Sequence, residues 1–234
     1  MLEQISEIFQ VIGDKLIFVG NNMPLLLKGA FVAVEITVLS MLLGMVVGIL
    51  VAFLRLYGSK PIKKILYFYE WVLRGLPILV LLFLLYFGLP ALKINIPAFI
   101  AVIIGLGLRS SAYQAQIYRG AIQSIGVDQM EAGLSLGMSR FKTLVTVILP
   151  QAVRLSLPGF TNEFTIVLKD SPLAYALGIA ELLKQGRNII VTSFEPFVIY
   201  LTCAVIYFIL FHLFYNLFKK IAQKFEVPGY IITE

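Results

Sequence analysis

The stretch LLLKGAFVAVEITVLSMLLGMVVGILVAFL, residues 25–54, decides the fold class. A run of this length with few charges is long enough to cross the hydrocarbon core of a bilayer, about 30 Å thick, as a single helix. Small residues at Gly29, Ala30, Gly44 and Gly48 leave room for another helix to approach closely within lipid. The stretch therefore predicts a membrane-spanning helix.

Similar apolar runs occur at four further places. We expect spans at about 65–89, 97–118, 143–169 and 197–218, the first of these interrupted at Gly75-Leu76-Pro77. In the whole chain 59% of the residues are hydrophobic, above the roughly 45–50% of ordinary soluble proteins, and the mean hydropathy is +0.92. The fold class expected is an all-α integral membrane protein, with five transmembrane helices in one domain over residues 23–220.

Charge around the spans predicts how the chain sits in the membrane. Basic residues flank the apolar runs in three groups: Arg55, Lys60, Lys63 and Lys64; Arg119, Arg140 and Lys142; and Lys219, Lys220 and Lys224. Such groups lie on the cytoplasmic side of membrane proteins. This places the N-terminus outside, the polar stretch 120–142 inside and residues 221–234 as a cytoplasmic tail. The same distribution explains the net charge of +6 without nucleic-acid binding.

The N-terminal segment, residues 1–22, begins with acidic rather than basic residues, which argues against a cleavable signal peptide. Its apolar residues recur at helical spacing: Leu2, Ile5, Ile8, Phe9, Ile12 and Leu16. This pattern predicts an amphipathic helix lying on the membrane surface. A short disordered tail is the alternative.

The sequence lacks the residues of a catalytic or nucleotide-binding site. No GxxxxGK[ST] phosphate loop and no GxSxG are present, and the single Cys203 and single His212 cannot assemble a metal or catalytic pair. We therefore expect no enzyme activity, no metal and no cofactor in this chain. If ATP drives its activity, another polypeptide must bind it.

The polar stretch after the third span begins DQMEAGLSLGMSRF at residue 128 and continues to Ile148-Leu149-Pro150. Gly133 and Gly137, four residues apart, predict one smooth helix face that another protein could approach. From these residues alone, a solvated loop and a docking helix both remain open.

This stretch resembles the EAA motif of binding-protein-dependent ABC importers, through Glu131-Ala132, Gly137 and Ile148-Leu149-Pro150. Other segments resemble the polar-amino-acid branch of that family, in order and at its spacing: Arg74–Pro77, Tyr86–Pro90, Ala112–Gly120, Asn162–Phe164 and Leu168–Ser171. The resemblance covers most of residues 30–218. Two departures are Gly133, where the family usually has alanine, and Gln116, where it often has glutamate.

The resemblance implies a type I ABC importer fold with a coupling helix at about 128–140. That helix would dock in a cytoplasmic ATPase subunit that binds ATP and magnesium; its contact residues would be Glu131, Ala132, Gly133 and Gly137, with Arg140 at the rim. Two permease subunits would pair, a homodimer being favoured over a heterodimer. An extracellular solute-binding protein would deliver substrate to the bacterial inner membrane.

Charged residues inside spans are candidates for substrate binding, because they are costly there and usually face a cavity or a partner. Glu163 and Asp170 lie seven residues apart, on one helix face and roughly 10 Å from each other along the axis, with Asn162 nearby. Two carboxylates suit a cationic solute. Arg74 could bind a substrate carboxylate. The alternative is internal ion pairing, including a Glu70–Arg74 pair one helical turn apart.

The function expected is that of the permease subunit of an ATP-driven importer of polar L-amino acids, with arginine, lysine or histidine preferred. The alternatives are an ABC permease for another polar solute, such as glutamine, glutamate or cystine, and an ion-coupled secondary transporter.

Overall fold

The computed structural model describes residues 2–125 and 127–225, and these fold into helices and connecting turns without a strand. In chain order the α-helices are α1 (Leu2–Tyr57), α2 (Lys60–Gly75), α3 (Ile78–Phe83), α4 (Ala98–Ser124), α5 (Val127–Ser135), α6 (Arg140–Thr143), α7 (Leu149–Asp170), α8 (Leu182–Ser193) and α9 (Pro196–Lys224). Short π-helical or 3-10 segments extend them at Leu84–Gly88, Leu89–Leu92, Leu144–Ile148 and Ser171–Leu177.

Four helical stretches in the described part of the chain are long and apolar enough to cross a bilayer: Ile12–Tyr57, Ala98–Ser124, Arg140–Leu177 and Pro196–Lys224. They contain the predicted first, third, fourth and fifth spans. A fifth crossing requires α2 and the α3 segment together, and these two are bent by 107° relative to each other. Whether the bent pair crosses the bilayer can be inferred from the directions in which the neighbouring helices run.

Helices α1 and α4 run parallel and in close contact. A Cβ atom on Gly107 would lie 2.7 Å from Leu43, and one on Gly48 would lie 3.1 Å from the carbonyl oxygen of Ser111. Contacts therefore advance in the same direction along both helices, and the glycines permit the close approach that the sequence predicted. Because parallel helices enter the layer at the same end, residues 58–97 must carry the chain back across it.

The bent pair makes that return along α4. Tyr69 of α2 shares a hydrogen bond of 2.6 Å with Ser111, and further along the chain Leu82 fills the space beside Gly105. The contacts run backwards along α4, as an antiparallel crossing requires. The break lies at Leu76-Pro77, where the sequence predicted it, because proline cannot continue the hydrogen-bond ladder. The structure thus supports five crossings, the second one sharply bent.

Helices α7 and α9 complete the bundle. Tyr118 stacks edge-on against Phe160 with ring centroids 4.9 Å apart, and the other end of α7 meets α4 at Arg109, so α7 runs antiparallel to α4. Phe164 of α7 packs on Phe214 and Phe218 of α9, at 4.9 and 4.8 Å. Aromatic packing of this kind holds the last crossing against the bundle.

The predicted boundary at residue 22 is absent, because α1 continues through it with Pro24 inside the helix. Its 56 residues extend about 84 Å, well beyond the bilayer core of about 30 Å. Part of α1 therefore lies outside the bilayer core, and an interfacial position for residues 1–22 stays a prediction. The side chains of Leu2, Ile5, Ile8 and Phe9 and the tail residues 226–234 lie outside the described part.

One end of the bundle, called here the basic end, carries most of the cations. It comprises the end of α1, the start of α2 and the end of α9, together with the segment from the end of α4 to the start of α7. Its cations are Arg55, Lys60, Lys63, Lys64, Arg119, Arg140, Lys142, Arg154, Lys219, Lys220 and Lys224. At the opposite end, Lys15 of α1 pairs with Glu195 at the start of α9.

Candidate functional site

An ion pair joins α4 to the end of α7 within the membrane-spanning layer. The guanidinium of Arg109 donates a hydrogen bond of 2.5 Å to Asp170, and the two side chains are 19% and 24% exposed. Asp170 is therefore already neutralised by a cation of its own chain. The prediction that Asp170 offers a free carboxylate to a substrate is not supported by this geometry, and the ion-pair alternative applies to it.

Glu163 differs from Asp170 in lacking such a partner. Its side chain is 3% exposed, and its Oε1 atom has no hydrogen-bond partner among the described residues. Its polar neighbours are Ser110 and Arg109 on α4 and Asp170 on its own helix. Among the described residues Arg109 is the one cation near Glu163, and it is shared with Asp170; a carboxylate buried in a span in this way costs several kcal/mol. Such a group indicates a functional role more strongly than a paired one does.

Tyr113 of α4 contacts two guanidinium groups, one from α4 and one from α2. Arg109 lies 5.3 Å from the ring centroid of Tyr113, and Arg74 lies 5.1 Å from it. Arg74 is exposed, at the end of α2 beside the break in the second span. We call Arg74, Arg109, Tyr113, Glu163 and Asp170 the polar site. Three different crossings supply its residues.

The predicted Glu70–Arg74 pair does not form. Glu70 is 3% exposed and instead binds Arg119 of α4 at 2.9 Å and Arg55 of α1 at 3.3 Å. A buried carboxylate with two cations from other helices is satisfied in three dimensions, whereas helical spacing alone favoured the local partner. The consequence is that Arg74 keeps its guanidinium available beside Tyr113.

Asn162 stands next to Glu163 in the chain but on another face of α7. It is exposed, while Glu163 is buried, because consecutive helical residues point about 100° apart. The backbone carbonyl of Asn162 accepts a hydrogen bond of 2.8 Å from Thr165. The structure therefore does not place the Asn162 amide in the polar site, and its proposed contact with substrate stays a prediction.

The segment predicted as one coupling helix over 128–140 contains a turn. Helix α5 ends at Ser135, and Gly137 follows with φ of +76°. The amides of Gly137 and Met138 donate to the carbonyls of Leu134 and Gly133 at 2.9 and 3.0 Å, which is the Schellman ending that glycine favours. Gly137 is thus needed for the turn and is not part of a continuous helix face.

Gly133 is also not an open surface. It is buried, and a Cβ atom there would lie 2.4 Å from the side chain of Thr143. The glycine lets α5 pack on the segment after the turn, so its predicted contact with another protein is corrected to an internal one. Glu131 and Ala132 remain exposed on α5, and Arg140 is exposed at the start of α6.

Two exposed apolar side chains complete this surface. Leu136 in the turn is 81% exposed and Phe141 in α6 is 69% exposed. They lie on either side of Arg140 and Ser139, at the basic end. The sequence prediction missed them because it looked for small residues. The available signal was a pair of large apolar residues within one short charged segment, since exposed apolar groups that lie together mark contact sites more often than single ones do.

Glu181, at the start of α8, is a second residue whose role the sequence did not indicate. It is fully buried and accepts hydrogen bonds from the amides of Leu183 and Lys184 and from the hydroxyl of Tyr207, at 2.9, 2.8 and 2.8 Å. Burial raises the pKa of the Glu181 carboxyl above its usual range, and these hydrogen bonds oppose that rise. Its role is to cap α8 and hold it against α9.

Comparison with known proteins gives one family. Residues 44–227 match the model of the family described as "Binding-protein-dependent transport system inner membrane component". The chain is 36% identical over 206 residues to the glutamine transport system permease protein GlnP of Escherichia coli (strain K12), covering 87% of this chain and 94% of that protein. It is 35% identical over 188 residues to the L-cystine transport system permease protein TcyB of Bacillus subtilis (strain 168), covering 80% of each.

Solved structures share the fold. One is described as the "Crystal structure of an amino acid ABC transporter with histidines"; its chain is 35% identical, with a TM-score of 0.83 over 89% of this chain and 97% of that one. The inward-facing MetNI methionine ABC transporter is 20% identical with a TM-score of 0.75, covering 88% of this chain and 98% of that one. At that identity the second likeness concerns the fold alone.

Proposed function

Because the chain belongs to the binding-protein-dependent transport family and is an amino-acid ABC transporter permease, we propose that it passes basic L-amino acids across the membrane in an ATP-driven cycle. The observation that carries this proposal is the polar site. A buried carboxylate without a dedicated counter-ion, Glu163, lies near Arg109, and the exposed guanidinium of Arg74 contacts Tyr113, which Arg109 also contacts. An amino acid has the complementary set of charges.

Arg74 is the residue we assign to the substrate α-carboxylate. Its guanidinium is exposed and is held over Tyr113, and a planar guanidinium can bind a carboxylate with two parallel hydrogen bonds. Since Arg109 is engaged with Asp170, Arg74 is the cation of the site with the freer donors.

Glu163 is the residue we assign to a cationic substrate side chain. An incoming guanidinium, ammonium or imidazolium group would give Glu163 a counter-charge of its own, because its neighbour Arg109 is paired with Asp170. This removes the cost of an unbalanced buried charge. Glu163 is buried, so the helices around it must separate when substrate passes.

A neutral polar substrate is the second candidate, favoured by one observation. The Arg109–Asp170 pair leaves the site with one free acid instead of the two that first suggested a basic solute. Two relatives are named for glutamine and L-cystine. If Glu163 carries a proton, the site would present Arg74 and hydrogen-bonding groups to such a solute.

The energy for transport would come from separate ATPase subunits that bind ATP and magnesium. We assign the docking surface to the exposed residues of α5 and the following turn: Glu131, Ala132, Leu136, Arg140 and Phe141. Gly133 and Gly137 shape this surface from within. Short helices that project from the basic end can enter a cleft of another protein as rigid bodies.

The basic end would face the cytoplasm and the N-terminus the outside. Among the described residues, this end carries eleven cations and the three carboxylates of Glu70, Asp128 and Glu131, and such an excess of cations is typical of the cytoplasmic side. Five crossings would place the two ends of the chain on opposite sides of the membrane. An extracellular solute-binding protein would deliver substrate to the opposite end. A second permease subunit would complete the pathway, and we favour a second copy of this chain.

Equilibrium binding to the assembled transporter tests the assignment of Glu163. Glu163→Gln keeps the shape of the side chain and removes its charge. We expect it to weaken arginine and histidine binding at least tenfold while glutamine binding changes less than threefold, because a charge-assisted contact is worth about 1.5–3 kcal/mol. The matched control is Glu35→Gln, an exposed carboxylate of α1. Unchanged arginine and histidine binding in Glu163→Gln would remove the basic preference and leave the neutral substrate.

A further inference from the structure

A long groove runs along the outside of the bundle between α1 and α7. It consists of two adjoining cavities of about 400 and 330 Å³, which share Ile49, Tyr118 and Val153 as walls. Helix α4 forms its floor. In the cavity nearer the basic end, every lining residue is aliphatic or aromatic, and Tyr57 and Tyr118 alone among them carry a side-chain polar atom.

This groove is separate from the polar site. Gln114 and Tyr118 of α4 line it, whereas Arg109 and Tyr113 on the same helix take part in the polar site. Residues 109 and 113 lie one turn apart on one side of α4, and 114 and 118 lie one turn apart on another. Nothing in the proposed transport route uses the groove.

The length of the groove fits a lipid. The cavity nearer the basic end is lined along α1 from Val46 to Tyr57, a distance of about 16 Å along the helix. This matches the hydrocarbon depth of one leaflet, about 15 Å. Tyr57 marks the end of the apolar part of the helix, where the polar headgroup zone is expected, and the other cavity continues the groove away from it toward Val38.

The mouth of the groove is its opening at the basic end, and two lysines lie close in the chain to residues that line it. Lys60 follows three residues after Tyr57, and Lys142 precedes Val145 by three residues, which is one helical turn. Both lysines are exposed, and neither forms an ion pair with a described carboxylate. Two unpaired cations beside an apolar groove are complementary to a phosphate group attached to a hydrocarbon chain.

We propose that this groove binds a phospholipid with an anionic headgroup. One acyl chain lies along α1 between Val46 and Tyr57, and the phosphate group reaches Lys60 and Lys142. Basic pockets between transmembrane helices on the cytoplasmic side bind anionic headgroups in this manner. This lipid site rests on the membrane orientation given under the proposed function but not on the proposed substrate. The lipid proposal and the substrate proposal can therefore fail independently.

A second copy of this chain is the other occupant that an apolar groove could take. The lysine pair favours lipid, because a second copy would bring its own basic mouth against the first one in a symmetric contact. Like charges brought together in that way oppose association.

Native mass spectrometry of the full-length chain tests the proposal. The chain is released from nanodiscs that contain equal amounts of phosphatidylglycerol and phosphatidylethanolamine, and the lipids retained by it are counted. We expect phosphatidylglycerol to be retained preferentially, and Lys60→Ser with Lys142→Ser to lower that retention about tenfold with little effect on phosphatidylethanolamine. The control is Lys28→Ser with Lys93→Ser, two lysines far from the groove mouth.

Two results would overturn the proposal. One is equal retention of phosphatidylglycerol by the wild type and by the Lys60/Lys142 double variant. The other is efficient oxidation of Val153→Cys to a covalent dimer in the same nanodiscs, which would show that a second copy covers the groove. Because the lysine variants alter exposed side chains, folding of the bundle is retained, and a loss of lipid can be ascribed to the groove mouth.

Discussion

The Arg109–Asp170 pair gives a prediction that separates a structural role from a substrate role. We consider Arg109→Gln, Asp170→Asn and the double variant. The charged atoms are 2.5 Å apart and the side chains are 19% and 24% exposed. Two unit charges about 4 Å apart attract by about 4 kcal/mol at an effective dielectric constant of about 20, and desolvation offsets part of this.

From these values we expect each single change to lower the free energy of unfolding by about 3 kcal/mol. The two single losses sum to about 6 kcal/mol, but the double variant should lose about 4 kcal/mol, because removing one charge of the pair no longer strands the other. The difference is a coupling energy of about 2 kcal/mol. Unfolding in mixed micelles can be followed through the single tryptophan, Trp71, which is 64% exposed.

The control is Arg109→Gln combined with Glu35→Gln, for which the structure shows no contact between the two positions and the changes should add. Additivity of the Arg109 and Asp170 changes within about 0.5 kcal/mol would refute the reasoning. Asp170 would then be free for substrate, as helix spacing first suggested.

Three further predictions concern packing and capping. Glu181→Ala should lower the free energy of unfolding by about 2 kcal/mol, since it leaves two amides and the Tyr207 hydroxyl without their acceptor; thermal unfolding that matches the wild type would contradict this. Gly48→Val should cost about 1–3 kcal/mol by overpacking α1 on α4, whereas Gly20→Val, with no neighbour within 4 Å, should be nearly neutral; equal effects would exclude close packing at Gly48. Gly137→Ala should cost about 1–2 kcal/mol because of its positive φ and should weaken ATPase stimulation; unaltered stimulation would show that the turn is not needed for coupling.

The helical crossings could be predicted from the sequence because each apolar run carries its own signal. The break at Gly75-Leu76-Pro77 was also predictable, since proline interrupts a helix in any surroundings. The angle of 107° at that break was not, because it depends on how α2 and α3 pack on α4. Nor could the sequence show that α1 passes residue 22 unbroken, as Pro24 allowed either outcome.

The polar site was predicted in its members but not in its pairing. Glu163, Asp170 and Arg74 were found because ionisable residues in a span are rare and costly. Helical spacing, however, favours partners within one helix, and so it predicted Glu70 with Arg74. The structure brings Glu70 to Arg55 and Arg119 instead, which are distant in sequence and depend on the arrangement of three helices.

The coupling segment shows the same limit. Gly133 and Gly137 indicated a special backbone, which is correct, but two glycines four residues apart fit both a smooth helix face and a helix ending. The ending is decided by the packing of Thr143 on Gly133 and by the Schellman hydrogen bonds, and neither is visible in a local pattern.

The most direct test of the account is ATP-dependent uptake of labelled arginine into proteoliposomes. Vesicles should contain this chain alone, or the complete transporter with its ATPase and solute-binding protein, with wild-type Glu131 or with Glu131→Arg. We predict uptake by the complete wild-type transporter in the presence of ATP, and none by the chain alone or by the assembled Glu131→Arg transporter. Uptake by the chain alone, or normal uptake with Glu131→Arg, would contradict an importer driven through α5.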